Sequence, residues 1–171
     1  AAGMVATSGA GFLISWEGGA SQDGSGYGIL AKAYPADAEP SGTEFVVNNV
    51  VSGDQMHHAT ASLGGDSFLS TWMSKGQDGD GWGVFGQRLS SNGSKLGLEF
   101  QVNTFVTGNQ NWPRSGSLAD GRFLVAWSSE GQDGSGTGVF GQLFDATGQK
   151  SGAEFQVNNH VSNEQDLPDV A

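Results

Sequence analysis

Carboxylates recur in this chain at one fixed place inside a glycine-rich loop: Gln22-Asp23-Gly24-Ser25-Gly26, Gln77-Asp78-Gly79-Asp80-Gly81 and Gln132-Asp133-Gly134-Ser135-Gly136. Hard oxygen ligands on a backbone free to curl are what calcium takes, so Asp23, Asp78, Asp80 and Asp133 are the candidate metal ligands. Each loop brings one or two charges, whereas calcium takes about six to eight oxygens. The same residues equally describe a plain turn, in which Asp accepts backbone N–H bonds and Gly supplies positive φ. Two residues past Ser25, Asp80 and Ser135 stand Tyr27, Trp82 and Thr137, a varying side chain on a recurring loop. Aromatic rings at Tyr27, Trp82 and Trp112 can stack on the apolar face of a sugar or on a protein, or can lie over their own hairpins as packing.

Other chemistry is poorly furnished. His57-His58 is the only histidine pair, and neighbours in a strand point to opposite faces, which makes a poor chelate. No serine sits in a nucleophile elbow, and no histidine is placed with a carboxylate in a triad pattern. The three arginines, Arg88, Arg114 and Arg122, fall on different expected strands. An enzyme is not expected.

These loops are set in a repeat. Asp23, Asp78 and Asp133 lie 55 residues apart, as do Phe45, Phe100 and Phe155, and Gln55, Gln110 and Gln165; Trp16, Trp72 and Trp127 are spaced 56 and 55. One period carried by several residue types in the same order marks units that stack into a shared core. The repeats run about 1–55, 56–110 and 111–166 in a single domain spanning 1–171, with 167–171 (LPDVA) as a surplus first strand of a next repeat.

Each repeat reads as four short strands. In the third, these are Arg114 to Leu118, Arg122 to Ser128, Thr137 to Phe144 and Glu154 to Asn158, separated by Asp-Gly, the acidic loop and Asp-Ala-Thr-Gly. Short β-branched and aromatic runs between Gly, Asp and Asn are the all-β signal. The second strand is apolar on both faces, with Phe123, Val125 and Trp127 on one and Leu124 and Ala126 on the other, so its sheet is expected between two neighbours. Radially packed antiparallel blades meet that condition.

The order of an Asp-Gly turn, an apolar strand ending in Trp, the acidic loop, Gly-Val-Phe-Gly-Gln, Asp-Ala-Thr-Gly and Glu-Phe-Gln-Val-Asn resembles the blades of sialidase-type propellers. More closely, it resembles repeats of large secreted or surface proteins of bacteria. The sialidase Asp-box itself is not reproduced. The resemblance implies β-propeller-like blades, with three forming an incomplete ring on their own, and a location outside the cell or on its surface.

Composition narrows the partners. A net charge of −11 with seven scattered Lys and Arg argues against nucleic acid and against anionic membranes. No cysteine is present, so no disulfide or thiolate zinc site is expected. The opening lacks a basic stretch followed by a long apolar run and reads as a mature protein or an excerpt. The expected function is a non-catalytic extracellular structural or adhesive module, calcium-stabilised in its loops. It would assemble with further repeats or copies of itself, and LPDVA would then compete with Gly3 to Thr7 for one position. The alternative is a glycan-binding lectin using the aromatic tips.

Overall fold

The computed structural model describes residues 2–6, 11–37 and 42–171; Thr7 lies outside them. Among the described residues, twelve strands make three four-stranded antiparallel sheets, each paired in chain order. The first sheet holds β1 (Ala2–Ala6), β2 (Phe12–Gly18), β3 (Gly28–Tyr34) and β4 (Phe45–Val46). The second holds β5 (Gln55–Gly64), β6 (Ser67–Lys75), β7 (Trp82–Ser90) and β8 (Phe100–Gln101). The third holds β9 (Gln110–Ser117), β10 (Phe123–Glu130), β11 (Thr137–Phe144) and β12 (Phe155–Gln156). The described residues are all-β apart from one helical turn, Ala20–Asp23. Asp23 stands seven positions after Trp16 but Asp78 six after Trp72, and the extra residue in the first repeat closes as that turn.

The expected third strand, Thr137–Phe144, is reproduced to the residue. The first strand starts earlier than expected, because Gln110 and Asn111 already pair with Ser129 and Ser128 across a bulge. Trp112 and Pro113 both stand opposite Trp127 in that bulge, so the missing proline N–H interrupts no ladder bond. The fourth strand is shorter than expected: only Phe155 and Gln156 pair, with Gly141 and Phe140. Gln55 and Gln110, placed at repeat ends in the sequence, open β5 and β9 and so belong to the next sheet. Residues 167–171 form no ladder, yet they lie on the third sheet: Leu167 N–H donates to Ser128 Oγ, and Val170 packs at Gly116.

Two hydrophobic clusters bind the sheets face to face. Leu13, Ile29, Ala31 and Val47 of the first pack with Phe68, Trp72, Phe85 and Leu89 of the second. Leu69, Val84 and Val102 of the second pack with Phe123, Val125, Trp127, Phe140 and Phe144 of the third. Period-two alternation sends Phe68 and Trp72 one way and Leu69 the other, so the second sheet is buried on both faces. Trp72 and Trp127 are fully buried and are the largest side chains in their clusters.

A Trp72→Ala substitution empties the centre of the first cluster and is expected to destabilise the chain by about 3–5 kcal/mol. A urea titration by circular dichroism reads this as a lower midpoint at unchanged slope. Gly81→Ala is expected to cost more than about 1 kcal/mol by another route. Gly81 has φ +46°, and a Cβ there would meet Gly108 O at 2.4 Å.

Candidate functional site

Each acidic loop is drawn in over its own hairpin. Asp78 Oδ1 accepts Asp80 N–H at 3.4 Å, and its Oδ2 accepts Asn103 Nδ2 at 2.9 Å. Asp133 Oδ1 accepts Ser135 N–H at 3.1 Å and Asp23 Oδ1 accepts Ser25 N–H at 3.1 Å, the same Asx-type turn. The carboxylates fold over Gly28, Gly83 and Gly138, where a Cβ would stand 2.3, 2.4 and 2.6 Å from Asp23, Asp78 and Asp133 Oδ2. Asp80 reaches outward instead, accepting Gly108 N–H at 3.1 Å from the strand leading into the third sheet. The structure therefore places Asp78 and Asp80 in one loop and Asp23 and Asp133 in two others, without bringing the three loops together. Among the described residues, no group of three or more His, Cys, Asp or Glu converges on a point.

What the loops serve is a recurring polar joint. Asn103 Oδ1 accepts Val84 N–H at 2.9 Å, while its Nδ2 donates to Asp78, to Phe105 O and to Gln110 Oε1. Asn48 does the same with Ile29 N–H, Val50 O and Gln55, and Asn158 with Val139 N–H, His160 O and Gln165. Gln55 and Gln110 are fully buried, so each amide removed from water finds partners in the other.

A second joint lies beside it. The Glu99 carboxylate accepts Asn49 N–H and, at 2.6 Å, Gln77 Nε2, while Lys95 Nζ donates to Asn49 Oδ1 at 2.6 Å. Fifty-five residues on, Glu154 takes Thr104 N–H and Gln132 Nε2, and Lys150 Nζ donates to Thr104 Oγ1 at 3.0 Å. Each lysine and glutamate of one sheet thus grips the chain leaving the previous sheet. Desolvation along that seam pulls Lys95 and Lys150 below the usual lysine range, with Glu99 and Glu154 opposing the shift. Of these lysines and glutamates the sequence pattern shows only the glutamate that opens Glu-Phe-Gln-Val-Asn, and its pairing needs contacts about 50 residues apart that no local pattern encodes.

The aromatic candidates separate. Tyr27 is 48% exposed, and its N–H donates to Asp54 Oδ1. Trp82 lies across its own hairpin, with Lys75 Nζ 5.9 Å from the ring centroid. Trp112 sits against His57, centroids 4.0 Å apart, at the meeting of β5 and β9. A shallow cleft of about 500 Å³ between the second and third sheets is lined by Thr104, Gln132, Gln142, Lys150 and Glu154. The Oε1 atoms of Gln132 and Gln142 take no hydrogen bond there.

His58 faces the first sheet from β5 and is nearly enclosed, with its Nδ1 3.7 Å from Glu17 Oε1. Burial lowers its pKa below the ordinary 6.5, and Glu17 only partly opposes this. No protein-family model, curated protein or solved structure matches this chain.

Two measurements check these joints. Glu99→Ala and Glu154→Ala each strand an N–H and an amide, and each is expected to lower stability by about 1–3 kcal/mol, whereas Leu98→Ala, at an 86% exposed side chain, should be near neutral. Because the unfolded chain binds a proton on His58 more readily than the folded one, stability is full above pH 6.5 and falls as pH drops below it. His58→Gln is expected to flatten that fall in melts taken between neutral and mildly acidic pH.

Proposed function

We propose that the sheets are blades of a β-propeller-type array. On this reading the chain is a non-catalytic extracellular module, structural or adhesive, that assembles with further repeats or copies. One observation carries it: the same interface is built twice, with Asn103–Gln110 and Lys150–Glu154 repeating Asn48–Gln55 and Lys95–Glu99. Recurring polar groups here hold sheet to sheet, whereas a catalytic site needs a constellation of its own. Placement outside a bacterial cell rests on the resemblance of the repeat. No helix among the described residues is long and apolar enough to cross a membrane.

Calcium adds to this fold rather than making it, since each loop Asp already accepts backbone or amide N–H bonds. The Asp78–Asp80 loop is the best furnished for the ion, with two carboxylates. Chelator is expected to lower the melting temperature by no more than a few degrees, on the order of 1 kcal/mol. Complete unfolding in chelator would show that metal organises the loops.

A lectin is the second reading, and the exposed ring of Tyr27 is the surface that favours it, since an aromatic face open to solvent can stack on a sugar. A glycan array with and without calcium separates the two. Silence is expected for a structural module, and binding lost in Tyr27→Ala would transfer the function to that loop tip.

A further inference from the structure

The two outer faces of this stack are complementary halves of the interface it already contains. In the contact between the second and third sheets, Phe100 lies on a stacked pair, Phe123 and Phe144, whose centroids are 5.0 Å apart and planes 8° apart. Phe100 stands 6.4 and 5.2 Å from those two rings. The first sheet carries the equivalent pair on its outer side: Phe12 and Tyr34 stack at 5.0 Å and 5°. The third sheet carries the equivalent of Phe100 on its outer side, Phe155, 44% exposed. One end is a socket and the other the knob that fits it.

Polar groups follow the same division. Asn159, in the place of Asn49 and Thr104, presents its N–H at the exposed end of the third sheet. Glu44 and Gln22, in the places of Glu99 with Gln77 and of Glu154 with Gln132, are both exposed on the first sheet. The match departs at two points: the position of Lys95 and Lys150 is Pro40, outside the described residues, so the docked contact lacks that cation, and Leu143 stands where Arg88 donates to Thr147 O.

The tail is already shaped for the junction. Gln165 N–H donates to Thr137 O at 2.7 Å, as Gln55 N–H does to Tyr27 O at 2.6 Å. Leu167 holds φ +55°, as His57 holds +52° and Trp112 +55° at the recurring bulge. Its N–H bonds Ser128 Oγ, just as His57 N–H bonds Glu17 Oε1. The tail thus lies on the third sheet where β5 lies on the first, but no strand pairs with it. Thr60 pairs with Ser70 and Ser115 with Val125; the equivalent residues are Met4 with Ile14, and on the tail Val170.

We propose that a second copy of this chain docks head to tail on the third sheet, its Phe12–Tyr34 pair receiving Phe155 and its Glu44 receiving Asn159 N–H. Gln165–Ala171 replaces β1 alongside β2 of that copy. The contact is heterologous and propagates as a ring or a filament. At a net charge of −11 per chain, added salt strengthens it. This inference rests on the structural-module reading and names its partner.

Sedimentation velocity over a concentration series tests it. Wild type is expected to form species larger than one chain, and Phe155→Asp and Tyr34→Asp each to weaken association at least about tenfold with unchanged circular dichroism. An equimolar mixture of the two is expected to restore a two-chain complex and nothing larger, since one variant keeps its socket and the other its knob. A monomeric wild type, variants that still assemble, or a mixture that stays monomeric overturns the proposal. In the otherwise cysteine-free chain, Ile14→Cys with Val170→Cys is expected to oxidise between copies; a chain that oxidises only within itself, or not at all, also overturns it. Monomers that remain silent on the glycan array leave the module reading standing. Glycan binding sinks that reading whether or not the copies associate.

Discussion

Burying an amide is costly unless every donor and acceptor it carries is met, and this architecture turns that constraint into its joint. Asn103 touches β7, its own acidic loop, the segment after β8 and the first residue of the next sheet, and it is almost wholly enclosed. Shifting any one of these leaves a buried polar atom unmet, so strand register, loop shape and sheet order are fixed together. The hydrophobic clusters supply most of the driving force, but aliphatic and aromatic contacts tolerate sliding in a way that four directed bonds do not.

The glycines belong to the same logic. Asp78 folds over Gly83 because no Cβ stands there, and Gly81 lets the loop tip touch Gly108 of the approaching strand. An acidic, glycine-rich loop is therefore compatible with a purely architectural task. The Asp78 carboxylate is spent on N–H groups that the tight turn would otherwise leave unmet, while Asp23 uses one oxygen in this way and keeps the other, Oδ2, buried without a partner.

Fold was legible in the sequence wherever period and composition acted locally. The Trp spacing located β2, β6 and β10; the burial on both faces read from Arg122 to Ser128 holds for β6 of the second sheet, whereas the outer face of the third sheet carries only the tail. The bulge at Trp112 and Pro113 was hidden, because it answers to Trp127 across the sheet rather than to anything adjacent in the chain. The joints were half legible: Gln110 stood out by recurrence, yet which residues it meets is decided by sheet stacking. The aromatic positions were legible only as alternatives, stacking surface or packing, and Trp82 and Trp112 have neighbours of their own in Lys75 and His57.

The Lys–Glu grips connect residues about one repeat apart, Asn49 with Glu99 and Thr104 with Glu154, so they lie in series along the polypeptide. Tension applied at the two termini reaches them in turn, and each that yields frees only the slack of one repeat before the next takes the load. The grips are thus arranged to be met one after another by a pull along the chain, not all at once.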